Sequence, residues 1–312
     1  MKLATLDLDG SPKAALMLAD GSAVLLDRAA VALTGNLPEA AAAAFATGDL
    51  QAVIEAGPGA LDGLKAIEAA GAALTDALVS AADLRLLAPL PNPRKNVFCV
   101  GRNYLEHIAE GERAQNTKIG VTEHPVYFTK PRTSVVGPGA DVPIFPHVSV
   151  NIDYEVELAL VIGKPGRDIP KERAFEHIFG YTILNDVTAR DVQRRHGGQY
   201  FKGKGLDGSC PLGPVIVTSD AIGDPSKLGL RLTVNGDTRQ DGNTADMIFD
   251  IPTLIASLSE GLTLEPGDIL ATGTPSGVGY AMDPPCYLVD GDIVVCEIDG
   301  IGRLENRMTT VT

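Results

Sequence analysis

The sequence predicts a β-rich α+β fold: a folded-over sheet or barrel-like core, preceded by a small N-terminal α/β part. Three observations carry the prediction. Beyond residue 90, short apolar runs bounded by turn residues recur at 96–100, 125–129, 158–162, 180–187, 215–218, 230–235, 269–272 and 292–298, whereas helical patterns are few, chiefly 170–179, 188–194 and 251–258. Gly (34 residues) and Pro (21) are abundant, as a chain with many turns requires. A Pro-rich joint, Ala88-Pro89-Leu90-Pro91-Asn92-Pro93, marks a change of composition, so we divide the chain into a small N-terminal domain (1–90) and a larger domain (91–312).

The N-terminal part opens with two or three short strands, turned at Asp9-Gly10 and Asp20-Gly21. Alanine- and leucine-rich helix candidates follow from Pro38, at 50–56 and at 60–70, interrupted by Gly57-Pro58-Gly59. No charged constellation falls here, and the region reads as packing rather than as a site. Over the whole chain of 312 residues the net charge is −14, which disfavours nucleic-acid backbones and anionic membranes as partners. No apolar run reaches the roughly 18 to 20 residues needed to span a bilayer. The N-terminus lacks the pattern of a signal peptide, so a cytoplasmic protein is expected. Cys99, Cys210, Cys286 and Cys296 are scattered without a CxxC pair, which indicates neither a zinc site nor a disulfide framework.

The segment with most chemistry is Asp153-Tyr154-Glu155-Val156-Glu157, leading into the apolar run 158–162. In a strand, alternate residues share a face, so Asp153, Glu155 and Glu157 are expected to project together. Like charges side by side require a cation, a proton or open water among them, and oxygen ligands on a rigid strand suit Mg²⁺, Ca²⁺ or Mn²⁺. The other reading is the solvated face of an edge strand. Asp186 ends a second apolar strand and either joins this group or caps the turn after it.

His107 and Glu110 lie one helical turn apart, where a carboxylate can orient an imidazole to activate water, or where an exposed helix simply carries a chance ion pair. The polar segment 111–122 has the composition of a mobile lid. Lys130 ends the strand 126–129, and Lys202-Gly203-Lys204-Gly205 reads as a glycine-rich loop open to an anionic ligand. In Thr272-Gly273-Thr274-Pro275-Ser276-Gly277-Val278-Gly279, backbone N–H groups and hydroxyls are concentrated enough to hold a carboxylate; it matches no nucleotide-binding fingerprint. His124, His147, His177 and His196 are isolated and read as structural.

Taken in order, Gly101-Arg102-Asn103-Tyr104 with His107, Phe128-Thr129-Lys130-Pro131, Asp153 to Leu158, Asn185-Asp186-Val187-Thr188-Ala189-Arg190-Asp191, Lys202 to Asp207 and Thr272-Gly273-Thr274-Pro275 resemble the fumarylacetoacetate hydrolase family from about Asn96 to the C-terminus. The resemblance implies a mixed β-roll, usually a homodimer, with Mg²⁺ or Mn²⁺ held by Glu155, Glu157 and Asp186. It also implies that Lys204 lies near the metal and that His107 and Glu110 form a water-activating dyad on a lid. Arg102, Lys130, Gln193 and Thr274 are implied to line the pocket of a small 2-oxo or diketo acid. Retention of the dyad points to hydrolysis of a carbon–carbon bond in an acylpyruvate-type 1,3-diketo acid. The family alternatives are isomerisation of a 2-oxo acid in aromatic catabolism, as by 2-hydroxyhepta-2,4-diene-1,7-dioate isomerases, decarboxylation of oxaloacetate, or hydrolysis of a diketo-deoxy sugar acid. A non-catalytic oxo-acid sensor is the rival class; the intact set of ligand and dyad positions weighs against it.

Overall fold

The computed structural model describes residues 1–118 and 120–311. Among them, eleven strands form one large mixed sheet and five more form a second, smaller sheet packed against it. The expected β-rich α+β architecture is therefore observed. At the centre of the large sheet lies Val156–Ile162, hydrogen-bonded on one side to Ile178–Asn185 and on the other to Ile269–Ala271. Its residues are buried on both faces, which is why the sequence shows a continuous apolar run rather than an alternation. Leu158, Leu160 and Ile162 join a core shared with the second sheet, where Leu230, Leu232, Val294, Cys296, Leu304 and Met308 meet them. Ala159 and Val161 face the opposite way, into a core covered by the N-terminal helices through Phe45, Val53, Ile54, Leu64 and Ile67.

The N-terminal strands extend the large sheet. Lys2–Leu8 pairs antiparallel with Cys210–Thr218, Leu3 opposite Ile216, and Ser11–Met17 and Ala23–Leu25 continue outward from it. Helices follow at Leu26–Ala32, Glu39–Ala46, Leu50–Glu55 and Pro58–Ala70, the last with proline in its first turn, where a missing N–H is harmless. No helix among the described residues is long and apolar enough to cross a membrane.

Two strands of the smaller sheet carry little apolar signal in sequence. Asp237–Asn243 (DTRQDGN) is a strand because it pairs with Gly229–Val234 across a tight turn at Asn235-Gly236, both in the left-handed region (φ 53° and 88°). Its buried residue is polar: Gln240 accepts from the Val156 N–H (2.9 Å) and donates to Thr274 Oγ1 and the Pro275 carbonyl (2.8 Å each). One amide thus ties the smaller sheet to the central strand and to the 272–279 loop. Replacing Gln240 with Leu leaves three buried polar groups without a partner and should lower the unfolding free energy by about 2–4 kcal/mol. Urea denaturation measures this, and a loss under about 0.5 kcal/mol would show that the tie is dispensable.

Candidate active site

The antiparallel register of the two central strands creates the site. Val156 pairs with Asn185, so Asp186 falls beside Glu155, and the Asp186 N–H donates to the Glu155 carbonyl (2.9 Å). Glu157 lies two residues on and shares the face of Glu155. Carboxylate oxygens of Glu155, Glu157 and Asp186 come within 4.8 Å of one another, and all three residues are buried. Asp153 does not join them. The strand breaks at Tyr154-Glu155, Ile152–Asp153 pairs instead with Thr188–Ala189, and the Asp153 carboxylate binds Arg190 Nε (2.8 Å) and the N–H groups of Gly279 and Tyr280. The shared face expected from alternation holds for two acids, not three.

Buried cations answer these charges. Lys204 Nζ donates to Glu155 Oε2 (2.7 Å), Asp186 Oδ2 (2.6 Å) and Thr188 Oγ1 (2.8 Å), and Arg190 donates to Glu155 Oε1 (2.7 Å). Burial alone would raise the Glu155 carboxyl, but Lys204 and Arg190 hold it well below the usual carboxylate range. Glu157 has no ion-pair partner among the described residues. Burial, with Asp186 and Glu155 alongside, pushes its carboxyl well above the usual range, although the Gly273 N–H donates to it at 2.8 Å. Four carboxyl groups (Asp153, Glu155, Glu157, Asp186) therefore face three cations (Lys130, Arg190, Lys204), and Glu157 is the one left without a cationic partner.

The cavity of ≈ 170 Å³ above Glu155 and Glu157 is lined also by Arg102, His107, Gln193, Lys204 and Thr274, so most of the residues singled out in sequence converge. His107 Nδ1 lies 2.8 Å from Glu110 Oε1, and Glu110 Oε2 accepts from the Gly277 N–H at 2.8 Å. An ionised Glu110 accepts from Nδ1–H and leaves Nε2 of His107 as the nitrogen able to exchange a proton. Arg102 adopts φ 59°, an uncommon backbone for a β-carbon-bearing residue, and lies over the Tyr200 ring (5.8 Å).

Several expectations need correction. Lys130 does not line the cavity: it is fully buried beneath it, donating to Asp186 Oδ1 (2.7 Å), to the Val187 carbonyl (3.1 Å) and to the Lys204 carbonyl. The glycines beside Lys204 do not open the backbone to a ligand. Lys204 ends a short helix, Phe201–Lys204, and a β-carbon on Gly203 would come within 2.6 Å of the Gln193 backbone nitrogen, so the glycine lets two short helices touch. The segment 111–122 is only partly a loop. Leu105–Gln115 is helical, and Gly111 leaves room for the Tyr280 hydroxyl, which would lie 2.6 Å from a β-carbon there. Ile119, within the expected lid, lies outside the described residues. Sequence reasoning missed Arg190, Arg194, Tyr200 and Tyr280 as lining residues. Arg190 lies within the motif Asn185 to Asp191, but nothing in its spacing shows that it faces two acids. None of His124, His147, His177 and His196 lines the cavity.

Residues 96–309 match the family described as the fumarylacetoacetate (FAA) hydrolase C-terminal domain. The chain belongs to the fumarylacetoacetate hydrolase family. It is 49% identical over 231 residues to oxaloacetate tautomerase YisK of Bacillus subtilis (strain 168), covering 74% of this chain and 75% of that protein. Its fold matches that of a fumarylacetoacetate hydrolase from psychrophilic Exiguobacterium antarcticum (TM-score 0.78, 40% identity, all of both chains). Maleylpyruvate hydrolase from Sphingobium sp. SYK-6, solved in complex with manganese(II) and pyruvate, is similar over the full length of both chains (TM-score 0.74, 32% identity).

Within this family site, Lys130 lies buried beneath Asp186 at the strand end, and its loss has a defined cost. Lys130→Met leaves Asp186 buried with one cation fewer and should destabilise the protein by about 3–5 kcal/mol. Thermal and urea unfolding of the variant measure this; unchanged stability would mean that Lys204 alone neutralises Asp186.

Proposed function

We propose that the protein is a divalent-metal-dependent keto–enol tautomerase of a 2-oxo dicarboxylic acid of the oxaloacetate type. The observation that carries the reading is that one cavity is lined by Glu155 and Glu157 of a carboxylate triad, by the buried Lys204 and by His107 of a histidine–carboxylate dyad, with Asp186 and Glu110 directly behind them. Similarity to a protein named an oxaloacetate tautomerase favours proton transfer over bond cleavage.

The triad fits a divalent cation on chemical grounds. Its donors are all oxygen, they lie within 4.8 Å of one another, and Glu157, whose ionised form is disfavoured by burial and its acidic neighbours, is the carboxyl that a cation would favour as the carboxylate. Glu155, Glu157 and Asp186 would hold Mg²⁺ or Mn²⁺, which when bound supplies Lewis-acid polarisation of a 2-oxo group. The remaining chemistry falls to the chain. Tautomerisation moves one proton between C3 and the C2 oxygen, consumes no water and breaks no carbon–carbon bond. His107, oriented through Nδ1 by Glu110, exchanges the C3 proton at Nε2. Lys204 remains protonated because Asp186 and Glu155 more than offset its burial, and it contributes positive charge where the enolate oxygen develops.

Hydrolysis of an acylpyruvate-type acid is the second reading. The same His107–Glu110 pair could deprotonate water, and the similarity to maleylpyruvate hydrolase accords with it. A panel assay separates the two. Under the first reading, metal-loaded protein interconverts the enol and keto forms of oxaloacetate, EDTA abolishes this, and acetylpyruvate yields no pyruvate. EDTA-sensitive release of pyruvate and acetate from acetylpyruvate, without oxaloacetate tautomerisation, would replace the first reading by the second. His107→Ala should slow tautomerisation by roughly 10²- to 10⁴-fold; full activity in that variant would remove the dyad from the mechanism.

The metal assignment has its own measurement. Glu157→Gln removes one of the three carboxylate ligands and should weaken Mn²⁺ binding by roughly 100-fold or more in a calorimetric titration. Unchanged affinity and stoichiometry would place the cation elsewhere.

A further inference from the structure

Four cationic side chains line the cavity: Arg102, Arg190, Arg194 and Lys204. Two of them are already neutralised, Lys204 by Glu155 and Asp186 and Arg190 by Asp153 and Glu155. Arg102 and Arg194 form no ion pair among the described residues. The family resemblance already places Arg102 at the pocket; Arg194 has had no role.

Arg194 is held in place without a carboxylate. It lies one turn beyond Arg190 on the helix Arg190–Arg195, so the two share a face. Both guanidinium groups lie over the Tyr280 ring, at 4.4 Å for Arg190 and 5.6 Å for Arg194. That ring is itself fixed, by its backbone N–H on Asp153 (3.2 Å) and by its hydroxyl against Gly111. An exposed arginine loses much of its rotamer freedom on such a platform, so less entropy remains to be lost when an anion binds.

We propose that Arg194 is the specificity-determining residue that receives the second carboxylate of a dicarboxylate substrate. The inference rests on the tautomerase reading and names its substrate class. A 2-oxo diacid carries one carboxylate beside the oxo group and another at the far end of the chain. On a protein of net charge −14 the second carboxylate needs a local cation, and Arg190 and Lys204 are committed to protein acids. Arg194 offers a planar, always-charged fork at the cavity, suited to a carboxylate. A 2-oxo monoacid leaves that fork unused and gains nothing from it.

The test is a calorimetric titration of Mn²⁺-loaded wild type, Arg194→Ala and Arg194→Lys with oxaloacetate and with pyruvate, alongside rates of oxaloacetate tautomerisation. Arg194 is exposed, so both variants should fold, and circular dichroism verifies it. The proposal expects Arg194→Ala to weaken oxaloacetate binding roughly 10- to 100-fold, to leave pyruvate binding unchanged and to raise KM more than it lowers kcat. Arg194→Lys should recover part of the loss. Equal weakening for both ligands, or none for oxaloacetate, would overturn it. If wild type binds oxaloacetate through Arg194 but does not tautomerise it, the proposed activity fails while the assignment of Arg194 stands.

Discussion

A buried charge cluster governs this structure. Asp153, Glu155, Glu157 and Asp186 lie together with Lys130, Arg190 and Lys204, all nearly inaccessible to solvent. Removing such ions from water is costly, and only good geometry with saturated hydrogen bonding offsets the cost. Asp186 and Glu155 meet that condition, each engaging cations through both carboxylate oxygens. Glu157 does not, since burial and its acidic neighbours raise its carboxyl while a single backbone N–H donates to it. The imbalance lies at the cavity floor, where an added cation would have most to contribute.

The loop from Thr272 to Tyr280 completes the arrangement from the other side. Its N–H groups at Gly273, Gly277 and Gly279 donate to Glu157, Glu110 and Asp153, three carboxylates on three different segments. The capacity of this loop to hold carboxylates is thus used on the protein's own side chains. Gln240 anchors the loop beneath at Thr274 and Pro275, so the smaller sheet, the central strand and the dyad helix share one framework. Two glycines have a geometric reason within it. A β-carbon at Gly277 would lie 2.0 Å from the Arg239 carbonyl oxygen, and one at Gly279 would lie 2.0 Å from that of Cys286.

What was legible in sequence follows from range of interaction. The central strand was visible because burial on both faces leaves an uninterrupted apolar run, and the His107–Glu110 pair because helical spacing is local. Asp237–Asn243 and Gly302–Thr310 went unread although each pairs with the strand just before it across a tight turn: their exposed faces are charged, and neither carries an apolar run. Asp153 was misplaced because alternation assumes a continuous strand, and this one breaks at Tyr154. Lys130 and Arg190 show the limit most plainly. Whether a cation beside a site meets ligand or protein depends on which acids the fold sets against it, and sequence spacing holds no such information.

The division among cations bears on how an acidic protein would receive the acidic ligand proposed for it. Lys130 beneath Asp186, with Arg190 and Lys204 around Glu155, stabilises the carboxylates as a fixed array that has no net positive charge to draw in an anion from solvent. Attraction of an anion must then come from cations that the array leaves free, together with any metal it holds. Arg102 and Arg194 are such cations, each resting on an aromatic ring rather than on an acid. An aromatic platform restrains a guanidinium without neutralising it, whereas a carboxylate does both. The site therefore uses two kinds of support for positive charge: acids where the charge must stay, and rings where it must remain available.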